Sequence, residues 1–284
     1  MKKLLGIGAL IDQSWDQYRK HFPMLIKISA WALVVTAVNV IAISMYPINA
    51  SELTRSLNGW EITGLLLFVL NNTILAIVVG VWIVNALITA IHNFDHGKKI
   101  KMVQIHKVGW KLFWPQVLVR IYLALVFGLT FAIPMFAFWL VTNIASTFLP
   151  SGILFLLLFA ALILFLAPLA VLVYLAFAVF ALVVSGHQGT KALKESIRLV
   201  KGRFWPVVMR LFIPKLLYFG IFFLAQVLLV MILEVAVFGL LGGADELLVQ
   251  RVNWLILPTS YTVLFIFINP LLLITDHKIY RDLI

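Results

Sequence analysis

A chain of 284 residues that is 63% hydrophobic and 12% charged, with a mean hydropathy of +1.09, has too little polar surface to be wetted as a soluble domain, so lipid is its expected solvent. Apolar runs between Met24 and Thr275 leave no stretch for a separate water-soluble core, and residues 1–284 read as a single membrane domain. The absence of cysteine excludes disulfides, thiolate metal sites and thiol nucleophiles, while the net charge of +11 follows membrane topology, described below, so no nucleic acid is expected as a partner.

Met1-Lys2-Lys3 leads into a segment interrupted by Asp12, Asp16, Arg19 and Lys20. It lacks the apolar stretch and small-residue site of a signal peptide, and no cleavage is expected. Ile11, Trp15, Tyr18 and Phe22 recur there at helical spacing opposite those charges, predicting an amphipathic helix that ends at Pro23. Six apolar segments follow, near 24–46, 62–91, 116–146, 153–184, 207–241 and 253–275. Each reaches the roughly 20 residues that cross a hydrocarbon core of about 30 Å. Pro134, Pro168, Pro214, Pro258 and Pro270 are the natural kink positions within them. Two further amphipathic stretches sit between spans. Met102, Ile105, Val108 and Leu112 form the apolar face of one; in the other Leu193, Ile197, Val200 and Phe204 oppose Lys194, Arg198 and Lys201. The expected fold class is therefore all-α: a polytopic membrane protein with six transmembrane helices.

Orientation follows from the basic residues of the connections. One side holds sixteen: Lys2, Lys3, Arg19 and Lys20; Lys98, Lys99, Lys101, Lys107 and Lys111; Lys191, Lys194, Arg198, Lys201 and Arg203; Lys278 and Arg281. The other holds Arg55 and Arg251. The positive-inside rule then places both termini in the cytoplasm.

An internal period organises the chain. The junctions Phe22-Pro23, Trp114-Pro115 and Trp205-Pro206 each pair an aromatic residue with a proline, and the prolines recur at intervals of 92 and 91 residues. His96, His187 and His277, at the inner ends of the even spans, recur at 91 and 90. Residues 1–92, 93–184 and 185–284 thus read as three repeats of one interfacial amphipathic helix and two spans. Proline has no N–H and disfavours helix in the residue before it, so each junction is expected to turn the chain from the interface into the bilayer. A lipid-contacting collar and a set of purely topogenic elbows both fit this pattern.

The charges inside the spans are Lys27, Arg120, Arg210, Lys215 and Glu234. Lys27 and Arg210 lie four residues, and Arg120 five, beyond their prolines, about one helical turn in, where a long side chain reaches lipid phosphate. With Arg19, Lys20, Lys111 and Arg203 they are the expected lipid-headgroup contacts. Glu234 lies about 42 Å along its helix from Pro206 and is placed at the outer interface. Asn39, Asn71, Asn72, Asn85, Gln226 and Asn269 are core polar groups, read either as interhelical hydrogen-bonding residues or as a substrate path. His92 and His96, with Asp95 between them, and the three repeat histidines admit a metal site, helix caps or a lipid-phosphate partner. No HExxH pattern is present, and no metal or cofactor is expected.

The stretches GALIDQSWDQYRKHFPMLIKIS, ALKESIRLVKGRFWPVV and LITDHKIYRDL resemble YciC-type bacterial inner-membrane proteins and the membrane domain preceding some glycerophosphoryl diester phosphodiesterases. The resemblance implies six spans in a bacterial inner membrane and lends no catalytic residues. The acidic metal ligands of the soluble phosphodiesterase domain have no counterpart here. With no GxSxG, Walker or dinucleotide motif, the expected function is that of a non-catalytic scaffold or accessory subunit contacting the phospholipid bilayer, anionic lipids and other membrane proteins. A transporter of a lipid or small amphiphile is the alternative. An enzyme whose hydrolysis depends on His92 or His96 is a third.

Overall fold

Long runs of Leu, Ile, Val and Phe with few acceptors of their own leave the backbone to satisfy itself, and within lipid a helix does so inside one segment. The computed structural model describes residues 4–45, 56–98, 100–145, 148, 150–241 and 246–284. It is 89% helical, with no strand among the described residues. Among the described residues six helical stretches are long and apolar enough to cross a membrane: Ile7–Met45, Gly59–Asp95, Phe113–Asn143, Ser151–Val183, Phe204–Val237 and Val252–Leu283. The expected multi-pass helical architecture is therefore present. Lys2, Lys3, Lys99 and Arg55 lie outside the described residues, as does the Arg251 side chain.

The helices are α1 (Ile7–Ser29), α2 (Ala32–Met45), α3 (Gly59–Leu70), α4 (Ala76–Asp95), α5 (Met102–Lys111), α6 (Phe113–Leu140), α7 (Ser151–Leu164), α8 (Leu166–Leu175), α9 (Ala178–Val183), α10 (Thr190–Val200), α11 (Phe204–Leu241) and α12 (Glu246–Leu283). They form two compact units, Met1–Lys111 with Leu211–Lys278, and Leu112–Arg210 with Ile279–Ile284.

The turns expected at the junction prolines lie elsewhere. Helix α1 runs unbroken through Pro23, and the Ile7–Met45 stretch is interrupted only at Ala30 and Trp31. At the other two junctions the break precedes the proline by three residues or more: at Leu112, and at Lys201–Arg203, where Gly202 adopts φ +79°. Pro115 and Pro206 then occupy the third position of α6 and α11, and Trp114 and Trp205 are helical. The first turn of a helix has no intrahelical acceptors for its N–H groups, so a proline there loses nothing. Pro168 repeats the arrangement in span four, third in α8 after a break at Phe165.

In the first unit α4 is the central post. Its residues from Val81 to Ile91 are nearly all buried, packed with Tyr18, Leu25 and Ile28 of α1, Ile105 of α5, Tyr218 of α11, and Ile268, Leu271 and Ile274 of α12. Close approach is provided by glycine at two places. A Cβ on Gly64 in α3 would lie 2.9 Å from the Ala42 carbonyl oxygen of α2, and one on Gly109 in α5 would lie 2.7 Å from the Trp82 indole nitrogen. A capping box starts α3: Asn58 Oδ1 accepts from the Glu61 N–H, and Asn58 N–H donates to Glu61 Oε2, both at 2.9 Å. A π-helical turn, Asn71–Leu75, joins α3 to α4. There Asn71 Nδ2 donates to the Val35 carbonyl (3.0 Å) and Asn72 Nδ2 to Asn39 Oδ1 (3.0 Å), tying the turn to α2.

In the second unit the return span is broken at Ala176–Phe177 between α8 and α9, and α10 repairs the break. Ser196 Oγ donates to the Tyr174 carbonyl (2.7 Å) and accepts from the Phe177 N–H (3.1 Å). Tyr280, at the end of α12, is fully buried beside Phe177 and Phe180, and its hydroxyl shares a 2.6 Å hydrogen bond with Ser185.

Of the apolar faces expected for the three amphipathic helices, Tyr18, Ile105, Leu193 and Val200 are buried, Ile11, Phe22, Met102, Val108, Leu112 and Phe204 are half-buried, and Trp15 and Ile197 are exposed, as are the opposing charges. The buried faces also take in Leu10 and Ser14 of α1, Gly109 of α5, and Ala192, Ser196 and Leu199 of α10. A small residue at the centre of each buried face lets the helix lie close against its neighbours, and the larger apolar groups flank it.

Replacing Ser196 with Ala is expected to leave the Phe177 N–H without its acceptor and to cost about 1–3 kcal/mol. Ser196→Thr, which keeps the hydroxyl, should cost less. The thermal midpoint of the purified protein in detergent measures both; equal midpoints for Ser196→Ala and the parent sequence would remove this role.

Candidate functional site

Two features of the first unit bring polar or accessible chemistry together. One is a cleft of about 560 Å³ between α2, α4, α11 and α12, within the range of roughly 300–1,000 Å³ common for small-molecule sites. Ala32 and Val35 of α2, Val79, Gly80 and Ile83 of α4, and Ile268 of α12 line it. The aromatic residues Phe219, Phe223, Tyr261 and Phe265, all exposed, line it as well. Its wall holds no charged side chain among the described residues. Polar groups enter it from Gln226 of α11 and from Tyr261 and Thr262 of α12. Thr262 is already bonded, accepting from Thr36 and donating to the Pro258 carbonyl, each at 2.9 Å.

The other is an ionic cluster where α4, α11 and α12 meet. Asp95, at the end of α4, lies 3.0 Å from Nδ1 of His277 and 4.0 Å from the Lys278 ammonium, and the Asp95 and His277 side chains are almost wholly buried. Asp276, one residue earlier on α12, is held at 2.9–3.0 Å by both carboxylate oxygens to Lys215 of α11. His92 packs its ring 5.7 Å from that of His277 and 4.4 Å from that of His96. His21 of α1 stacks on Phe94 at 3.9 Å. The arrangement joins three helix segments through two carboxylates, each facing a cation.

The repeat histidines have three different settings. His96 is the exposed C-cap residue of α4, where its Nδ1 donates to the His92 carbonyl at 2.8 Å. His187 lies in the connection between α9 and α10, its N–H donating to the Ala181 carbonyl at 3.1 Å. His277 is buried inside α12, which continues to Leu283; no glycine follows it, unlike Gly97 after His96 and Gly189 after His187, so the helix does not end there. Among the described residues no group of three or more His, Cys, Asp and Glu is placed to hold a metal ion.

Of the expected headgroup contacts, Lys27 is exposed in the last turn of α1, Arg120 is exposed on α6, and Arg210 is half-buried, donating to the Pro206 carbonyl at 2.9 Å. Arg19 is exposed and paired with Asp16 at 2.8 Å. Lys20 and Lys111 are exposed and Arg203 is half-buried. Trp114, Trp205, Pro23 and Pro206 are exposed at the junctions, with Phe22 and Pro115 half-buried. Several of the polar residues in the spans bond between helices, as the interhelical reading expected. Asn71 reaches α2, Asn85 Nδ2 donates to the Gly109 carbonyl of α5 (3.2 Å), and Gln226 Nε2 donates to Ser260 Oγ of α12 (2.7 Å).

The ionic cluster was not anticipated from the charges within the spans. Its signal in the sequence is a recurring Asp-His dipeptide, Asp95-His96 and Asp276-His277, whose first members face the lysines Lys278 and Lys215. Comparison of the chain with family models, with curated proteins and with solved structures gave no match.

Lys215 and Asp276 are half-buried, so stranding one of the two charges is expected to cost less than the about 3–5 kcal/mol of a fully buried pair. Lys215→Ala, which leaves Asp276 in place, is expected to destabilise more than Asp276→Ala, because the lysine stem can carry its charge outward. The double replacement Lys215→Met with Asp276→Leu should recover most of the loss. Unfolding in mixed micelles, followed by tryptophan fluorescence, orders the variants; a double variant no better than Lys215→Ala would mean that the pair does not act as a unit.

Proposed function

We propose that this chain is a non-catalytic, multi-pass protein of a bacterial inner membrane, with both termini in the cytoplasm, that holds lipid or a related amphiphile and serves as a scaffold or accessory subunit of a membrane complex. The observation that carries this reading is the uncharged cleft, whose exposed aromatic residues give an apolar chain side access from the bilayer. Exposed Trp15, Trp110, Trp114 and Trp205 on or beside the amphipathic helices suit the headgroup level, and the basic residues around them suit anionic lipid. The resemblance to YciC-type inner-membrane proteins agrees in architecture and in lending no catalytic residues.

A second reading, transport of an amphiphile, is favoured by the buried Asp95–His277 pair and the half-buried Lys215–Asp276 pair, since ionisable groups inside membrane helices often serve translocation.

Native mass spectrometry of the protein extracted gently from its own membrane is expected to show retained lipid, anionic species included. Replacing Lys27, Arg120 and Arg210 together with Ala should lower the anionic share about tenfold. A lipid-free monomer would overturn the scaffold reading, and saturable flux of an amphiphile in liposomes would put the transport reading in its place.

A further inference from the structure

Gln226 is the one polar side chain of the cleft wall that is nine-tenths buried, and only half of its amide is engaged among the described residues. Nε2 donates to Ser260 Oγ, whereas Oε1 is buried with no hydrogen-bond partner. In an apolar setting such an atom is costly to leave unpaired, and more so where no bulk water reaches it. The nearby hydroxyl of Thr262 is spoken for by Thr36 and Pro258.

We propose that the cleft binds a single-chain amphiphile with a neutral hydroxyl group, the chain lying along the apolar wall and the hydroxyl bonding the Gln226 amide. Three observations select this chemistry. The absence of a charged wall residue disfavours a carboxylate or phosphate, which would be buried without a counter-charge. The volume of about 560 Å³ suits one aliphatic chain better than a headgroup with two. Finally, the amide can be turned end for end, so that either its oxygen or its nitrogen is the atom not engaged by Ser260, and a hydroxyl both donates and accepts, so a small shift of the Gln226 side chain lets it satisfy either. This inference rests on the lipid-holding reading above and adds to it the kind of polar end that is recognised.

The test uses the full-length protein in detergent and a photoreactive long-chain alcohol as probe, displaced by 1-hexadecanol or by 1-chlorohexadecane. The two competitors share a chain but only the first forms strong hydrogen bonds. On the parent protein the alcohol is expected to compete about tenfold better than the chloride, with labelled peptides from α4, α11 and α12. In Gln226→Met, which keeps the length of the side chain, the ratio should fall to about one while the chloride competes as before. Equal competition on the parent protein would overturn the hydroxyl site yet leave an amphiphile in the cleft. No displaceable labelling at all would overturn the lipid-holding reading with it. The ratio on the parent protein decides the matter even if the variant does not fold.

Discussion

A polar group placed among apolar helices must find its partner within the protein, and the packing described here is arranged around that requirement. The breaks in the helices show it most directly. Where span four loses its backbone ladder at Phe177, a serine from the amphipathic helix α10 supplies the missing acceptor. Where α3 passes through a π-helical turn into α4, two asparagines on that turn bond to α2. Each irregularity is thus also a tie to another element. The amphipathic helices accordingly act as structural members of the protein, packed by a small residue against their neighbours, while their tryptophans and flanking apolar groups face outward.

The same requirement governs the charges. Asp95 and Asp276 approach the core only in company with His277, Lys278 and Lys215, and the pairs join α4 to α12 and α11 to α12. Exchanging such pairs for apolar side chains is often neutral or stabilising, so their presence says more about specificity of packing or function than about stability. The cleft differs from both the breaks and the charges. Its Gln226 carries a polar atom for which the described residues supply no partner.

Much of the architecture was legible in the sequence because length and apolarity alone identify a spanning helix. The six expected spans coincide closely with the six observed stretches, although α1 and the last helix extend well beyond theirs. The prolines were legible as markers and misleading as hinges. A proline tells of a missing N–H, but whether that breaks a helix depends on where the helix starts, and at Pro115, Pro168 and Pro206 the helix begins two residues before the ring. The faces of the amphipathic helices are legible in their charged sides and in most of their apolar positions, but apolarity alone passes over Ser14, Gly109 and Ser196, which are buried in the same helices. The ionic cluster was hidden by distance along the chain: nothing local to Lys215 announces Asp276 sixty-one residues later. In the candidate cleft, Gln226 was visible as a core polar group, but its uneven pairing depends on Ser260 and could not be read from either residue alone.

The first unit is assembled from two segments far apart in the chain, and this sets an order of events during synthesis. Tyr18 and Asp95 are made well before Phe267, whose carbonyl accepts from the Tyr18 hydroxyl at 3.0 Å, and His277. At about 5–20 residues per second, Asp95 precedes His277 by roughly nine to thirty-six seconds. For that interval the central post stands in the membrane with its acidic end lacking this histidine, and the intervening spans must be inserted without displacing it. A chain cut short before Asp276 lacks the α12 partners of Asp95 and Lys215, so the unit closes only once that helix has been made.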